Sequence, residues 1–167
     1  ISFLNNFKKV ENDFVCYFVG GPSGKSGNEY FQELKENVVD LKLESHVEFL
    51  GDLPQYEIKD LLNKSKLLIH TSQFETFGLV AIEANSMGVP VLTSNNGPLK
   101  EIIENNINGY SSDDLIDGKV NMFVKNLIND DLIYGKIMNS CIDKSTNYSW
   151  ENTSNELLKL YQEAKLS

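Results

Sequence analysis

Glu75 and Glu83 stand with seven residues between them, inside a stretch that runs from Thr71 to Pro90. Two carboxylates that meet can share a proton, whereas two that are held apart can each accept hydrogen bonds from ligand hydroxyls. If Phe77 to Met87 is a helix, with Phe77, Val80, Ala81 and Ala84 on one face, then Glu75 precedes it and Glu83 lies two turns in. The second arrangement follows. A helix starting near Thr76 would aim the free N–H groups of Phe77, Gly78 and Leu79 out of its N-terminus, where the dipole favours an anion. Gly78 would leave that approach clear of any side chain. Taken alone, a glutamate pair at this spacing is more often a helix-start charge and a solvated face residue.

A second kind of feature is the glycine loop. Gly20-Gly21-Pro22-Ser23-Gly24-Lys25-Ser26-Gly27 would let a ligand approach backbone closely, but a mobile surface turn explains it equally well. It is not a phosphate-binding P-loop, because the residue five before Gly24-Lys25-Ser26 is Val19 and not glycine. Gly51 to Tyr56 is a further loop of this type.

These segments need strands to hold them, and the chain offers strands at the right places. Phe14 to Val19, Val47 to Leu50, Lys66 to His70 and Val89 to Thr93 are short apolar runs, with a brief fifth at Gly109-Tyr110. Helical periodicity falls between them, at Glu29 to Leu43, Glu57 to Asn63, Phe77 to Met87 and Leu99 to Glu104. Strands alternating with helix-length segments predict a Rossmann-like α/β fold: an open parallel sheet with helices on both faces. In such a sheet, ligands bind beyond the carboxyl ends of the strands, which is where the three loops lie. Ile1 to Leu4 reads as part of a helix, and the chain is expected to begin inside a longer protein. From about residue 113 to 167 the chain reads as a helical tail, with helices at Asp117 to Asn129, Asp131 to Asn147 and Trp150 to Lys165.

Length and composition set the bounds. The 167 residues suit a single domain, and no apolar run is long enough for a membrane helix. A net charge of -9 argues against nucleic acid, whose phosphates are bound by basic surfaces. Every positive side chain is a lysine, so the bidentate guanidinium fork is missing and any phosphate must meet backbone N–H groups, helix N-termini or lysine. Cys16 and Cys141 read as reduced core thiols. The sequons at Asn63, Asn147 and Asn152 read as chance occurrences, and no signal sequence marks the start, so a cytoplasmic location is expected.

The larger pattern adds to this. Glu75-x7-Glu83, with Phe77-Gly78-Leu79 between and Gly88-Val89-Pro90-Val91 after, resembles the EX7E signature of retaining GT-B glycosyltransferases of the GT4 type. The similarity extends to Val19-Gly20-Gly21-Pro22, Val47-x-Phe49-Leu50-Gly51, Gly97-Pro98-Leu99-Lys100-Glu101-Ile102-Ile103, Asn108-Gly109-Tyr110 and Trp150-Glu151, so it spans nearly the whole chain. The resemblance implies the C-terminal, donor-binding half of such an enzyme. In it, Glu75 is the candidate catalytic residue, touching the donor sugar's hydroxyls. Glu83 would hold the ribose, the backbone of Phe77, Gly78 and Leu79 the diphosphate, Gly20 and Gly21 a wall of the donor cleft, and the loop from Gly51 the base.

The same resemblance implies no metal and no cofactor beyond a nucleotide-sugar donor, with the Gly-Gly-Pro-Ser-Gly loop leaning toward UDP. It implies transfer of a hexose-type sugar, with retention, to a carbohydrate or lipid-linked acceptor held by an N-terminal domain outside this chain. The family's catalytic Arg and Lys would lie outside it too, leaving the segment inactive alone; any membrane association of the parent is not encoded here. Two alternatives on the same fold are a non-catalytic nucleotide-sugar-binding module and a sugar-nucleotide epimerase.

Overall fold

A computed structural model describes residues 1–72 and 74–166, and the chain divides into two compact units. The first comprises Ile1–Leu61 with Leu115–Lys125, the second Leu62–Asp114 with Asn126–Ser167.

In the first unit, helix α1 (Ser2–Phe7) leads to strand β1 (Cys16–Val19), helix α2 (Gly27–Asp40), strand β2 (Val47–Gly51) and helix α3 (Gln55–Lys64). β1 and β2 pair in parallel, Cys16 opposite Val47 and Phe18 opposite Phe49, which requires the crossover that α2 supplies. Aromatic rings fill this unit. Phe3 stacks on Phe7 at 5.7 Å, Phe7 meets Phe14 at 5.3 Å, and Phe14 stacks on the buried His46 at 4.7 Å, while Phe49 receives Phe18 at 5.1 Å and the edge of Phe31 at 5.3 Å. His46 is a core histidine: its Nδ1 lies 3.1 Å from the Phe14 carbonyl.

The second unit is a three-stranded parallel sheet in the order β3 (Leu68–His70), β4 (Val91–Ser94), β5 (Gly109–Ser112). Helix α4 (Leu79–Ser86) connects β3 to β4 and the short α5 (Leu99–Ile102) connects β4 to β5. Central β4 is buried at Val91, Leu92 and Thr93, as a strand flanked on both sides must be. Around it lies a core of Ala81, Ala84, Val89, Val91, Leu99, Ile102 and Ile103. Gly109 is what lets β5 pair so closely, because a Cβ there would collide with the Val91 carbonyl oxygen. Further along the chain, α6 (Gly118–Asn129) belongs to the first unit as far as Lys125, and α7 (Asp131–Ser145), a 3-10 turn at Thr146–Tyr148 and α8 (Trp150–Leu166) belong to the second.

Among the described residues all strand pairing is parallel and helices separate the strands, so the α/β expectation holds, as does the helical tail. Asp130 caps α7, accepting the N–H groups of Leu132 and Ile133 at 3.0 Å each. α8 is exposed from Thr153 to Lys165, and Trp150 at its start by 90%. Cys141 is fully buried, but Cys16, although on the inward side of β1 with Phe18, is only half-buried, because β1 pairs among the described residues with a single neighbour, β2; the expectation of two core thiols is corrected there. No described helix is long and apolar enough to cross a membrane.

Candidate functional site

Glu75 sits in the loop between β3 and α4, and that loop is tied down at several points. Ser72 Oγ donates to the Phe74 carbonyl at 2.8 Å, and Ser94 Oγ, at the end of β4, donates to the Ser72 carbonyl at 3.0 Å. Thr93 Oγ1 donates to the His70 carbonyl at 2.8 Å. Gly97 crosses close behind, where a Cβ would lie 3.3 Å from the Glu75 carbonyl oxygen. Gln73, in the same loop, lies outside the described residues.

So positioned, the Glu75 side chain turns back on its own backbone. Its Oε1 accepts the N–H of Thr76 at 3.0 Å and that of Phe77 at 3.3 Å, and its Oε2 lies 2.9 Å from Nε2 of His70. Both side chains are 20% exposed. The His70 hydrogen bond foremost, then the backbone N–H groups of Phe77, Gly78 and Thr76, hold this carboxyl down at about 2, against a smaller opposing effect of burial. Glu75 is therefore a fixed carboxylate that accepts hydrogen bonds and does not act as a proton donor at neutral pH.

The start of α4 differs from the expectation. The helix begins at Leu79, not at Thr76 or Phe77, because Gly78 adopts a left-handed φ of +86 that no helical residue shares. Nor does Gly78 clear space for a ligand: a Cβ there would point into the protein, 2.9 Å from Leu99 Cδ2 and 3.1 Å from Ile102 Cδ1. Phe77 precedes the helix and is half exposed, with its ring edge-on to Tyr148 at 6.4 Å, and Val80 is also exposed. The buried face of α4 is Ala81, Ala84 and Asn85. The Phe77 N–H is taken by Glu75, whereas the first-turn N–H groups of Leu79 and Val80 have no partner among the described residues.

Glu83 is exposed, four residues on from the exposed Leu79, so the two share the open stripe of α4. The two glutamates are thus not brought into contact as an acid/base couple: the hydrogen bonds of Glu75 go to His70 and its own loop. Gly20, Gly21 and Gly51 belong to the first unit. There the Gly20 N–H donates to the Gly51 carbonyl at 2.7 Å, both glycines have positive φ, and a Cβ on Gly21 would lie 3.0 Å from Asp52 Oδ2. Among the described residues no three His, Cys, Asp or Glu side chains gather as a metal site.

His70 is the residue that sequence reasoning missed. It read only as the end of a strand, and no periodicity links it to a glutamate five residues on. Asn85 was missed as well; its partner lies far along the chain.

The family described as Glycosyl transferases group 1 matches residues 2–138. The chain belongs to the group 1 glycosyltransferases. Within this family, a D-inositol 3-phosphate glycosyltransferase of Corynebacterium urealyticum is 31% identical over 147 residues, which is 86% of this chain and 34% of that protein. The chain thus spans about a third of the length of that curated relative. Among solved structures, Anabaena Alr3699/HepE in complex with UDP and glucose superposes with a TM-score of 0.80 at 23% identity, over 97% of this chain and 44% of that one. The C-terminal domain of a group 1 family protein (LpcC) from Francisella tularensis gives a TM-score of 0.74 at 22% identity, over 89% of this chain and 78% of that one. These likenesses show the fold of a group 1 glycosyltransferase, whose β3–α4 loop here carries Glu75.

Proposed function

We propose that this chain is the donor-binding domain of a glycosyltransferase that transfers a hexose-type sugar, with retention, from a UDP-linked donor to a carbohydrate or lipid-linked acceptor. The carrying observation is the immobilised Glu75 carboxylate at the mouth of α4, next to the open stripe of Leu79 and Glu83. In this reading Glu75 accepts hydrogen bonds from the donor sugar's hydroxyls. Because Glu75 already draws on the N–H groups ahead of α4, the diphosphate meets those it leaves open, at Leu79 and Val80, where the helix dipole favours the charge of a leaving phosphate. Glu83, farther along the same stripe, accepts the ribose hydroxyls.

The family match and the UDP and glucose held by the Anabaena protein support the nucleotide-sugar part of this reading. Acceptor binding and the basic groups that neutralise the leaving diphosphate are assigned to a further domain of the parent, working in the cytoplasm without a metal. A transfer reaction needs both substrates in one water-excluding cleft, so the 167-residue chain alone binds donor without turning it over.

Calorimetric titration of the chain with UDP and GDP tests the assignment. UDP should bind, and Glu83→Ala should weaken it about tenfold, the loss of one or two hydrogen bonds to a charged group. Equal binding by the variant would remove Glu83 from the ribose.

A further inference from the structure

We propose that His70 is a positioning residue for donor-sugar recognition, fixing the Glu75 carboxylate in a single orientation toward the sugar. The inference rests on the reading that Glu75 touches the donor sugar, and it goes beyond that reading by assigning a residue outside the family motif.

The geometry begins with the two oxygens of Glu75. Oε1 is held by two backbone N–H groups, from Thr76 and Phe77, and Oε2 by the His70 ring at 2.9 Å. Anchoring one oxygen alone would leave the carboxylate plane free to turn about its last torsion, which is a broad, soft rotation. Anchoring both stops it. The N–H of Gly78 adds to the hold on the carboxylate, so its backbone-facing side is turned toward the loop and the His70-bound Oε2 is the side left to meet a ligand hydroxyl. His70 therefore decides where that side points.

The ring itself is well placed to act as a fixed post. His70 ends β3, in register with fully buried Thr93 of β4, whose hydroxyl donates to the His70 carbonyl. The backbone under the imidazole is thus part of the sheet, while its side chain is 20% exposed, as is that of Glu75. Because an ionised Glu75 only accepts, His70 must present Nε2 as N–H. A purely structural histidine would look like His46, buried among aromatic rings with its Nδ1 against a backbone carbonyl. His70 instead spends its ring nitrogen on the residue at the candidate site.

The experiment compares His70→Phe, His70→Gln and Glu75→Gln with the unaltered chain, using UDP-glucose and UDP as probes and the Glu75 carboxyl 13C resonance as a spectroscopic readout. Phenylalanine keeps a planar ring without the N–H; glutamine returns an N–H donor near the same point. His70→Phe should weaken UDP-glucose about tenfold, as the loss of a charge-assisted hydrogen bond implies, leave UDP unchanged and move the Glu75 resonance. His70→Gln should recover most of both. If Glu75→Gln weakens UDP-glucose but His70→Phe does not, the positioning role is overturned and the Glu75 reading stands. If Glu75→Gln leaves the preference for UDP-glucose over UDP intact, the Glu75 reading fails and this proposal falls with it. Equal loss of both ligands in both His70 variants, with no recovery by glutamine, would reduce His70 to a structural part of β3.

Discussion

Asn108 Nδ2 donates to Asn85 Oδ1 across 2.7 Å, and both side chains are all but sealed from solvent, at 1% and 2% exposure. The pair is fully engaged: Asn108 also donates to the Ile102 carbonyl at 2.8 Å and accepts the Glu104 N–H at 2.7 Å, while Asn85 donates to the Val89 and Asn108 carbonyls at 3.1 Å each. It ties the end of α4 to the turn before β5, beneath the helix whose open stripe carries Glu83.

Removing one side chain of this network leaves several buried partners unpaired. Asn108→Ala should cost about 3 kcal/mol, since each orphaned buried group costs roughly 1–3 kcal/mol before any relaxation. Urea unfolding followed by far-ultraviolet circular dichroism measures it; a loss below about 1 kcal/mol would mean that water replaces the amide.

Gly78 has a positive φ and no room for a methyl group against Leu99. Gly78→Ala should therefore destabilise the chain by about 1–3 kcal/mol and disturb the loop that carries Glu75. Gly118, by contrast, has open space around it and no positive φ, so Gly118→Ala should leave the melting temperature nearly unchanged. Thermal melts of the two variants side by side give the comparison.

Glu75 titrates at about 2 in the folded chain against an ordinary value of 4.5. A carboxyl whose folded value is depressed binds protons more readily when unfolded, so its stabilising contribution is present above about pH 4.5 and is lost as pH falls toward 2. The stability difference between the unaltered chain and Glu75→Gln should accordingly be flat above pH 5 and shrink through that acid window. A difference that stays constant down to pH 2 would mean that the carboxylate gains nothing from His70 and the loop N–H groups.

Burial pushes the Cys141 thiol up to about 12 and that of Cys16 up to about 11. Thiolate is the reactive form, so at pH 8 the native chain should resist iodoacetamide at both positions and take up label at both in urea. Rapid native labelling of Cys16 would show that its half-buried thiol is reached without unfolding.

Much of this protein was legible without coordinates. The strand ends at Val19 and His70, those of the strands after Val47 and Val89 to within one residue, the intervening helices and the helical tail follow from short-range periodicity and from glycine as a stop, and these are local properties of the chain. Parallel pairing followed from the helix-length spacings. The placement of Glu75 in a loop before a helix, and of Glu83 on its open face, was legible for the same reason.

What the sequence could not carry depends on contacts between distant residues. The first helical residue after Glu75 is Leu79 because Gly78 takes a left-handed turn, and a side chain there would run into Leu99 and Ile102 of another helix. The partner of Asn85 is 23 positions away. The Phe77 N–H expected to face a ligand is already taken by the Glu75 carboxylate, whose other oxygen meets His70, in a loop that Ser94 of β4 ties down. Residue types and spacing determined which groups are available for chemistry; only the tertiary structure decided which hydrogen bonds they had already spent, since that depends on strands brought side by side.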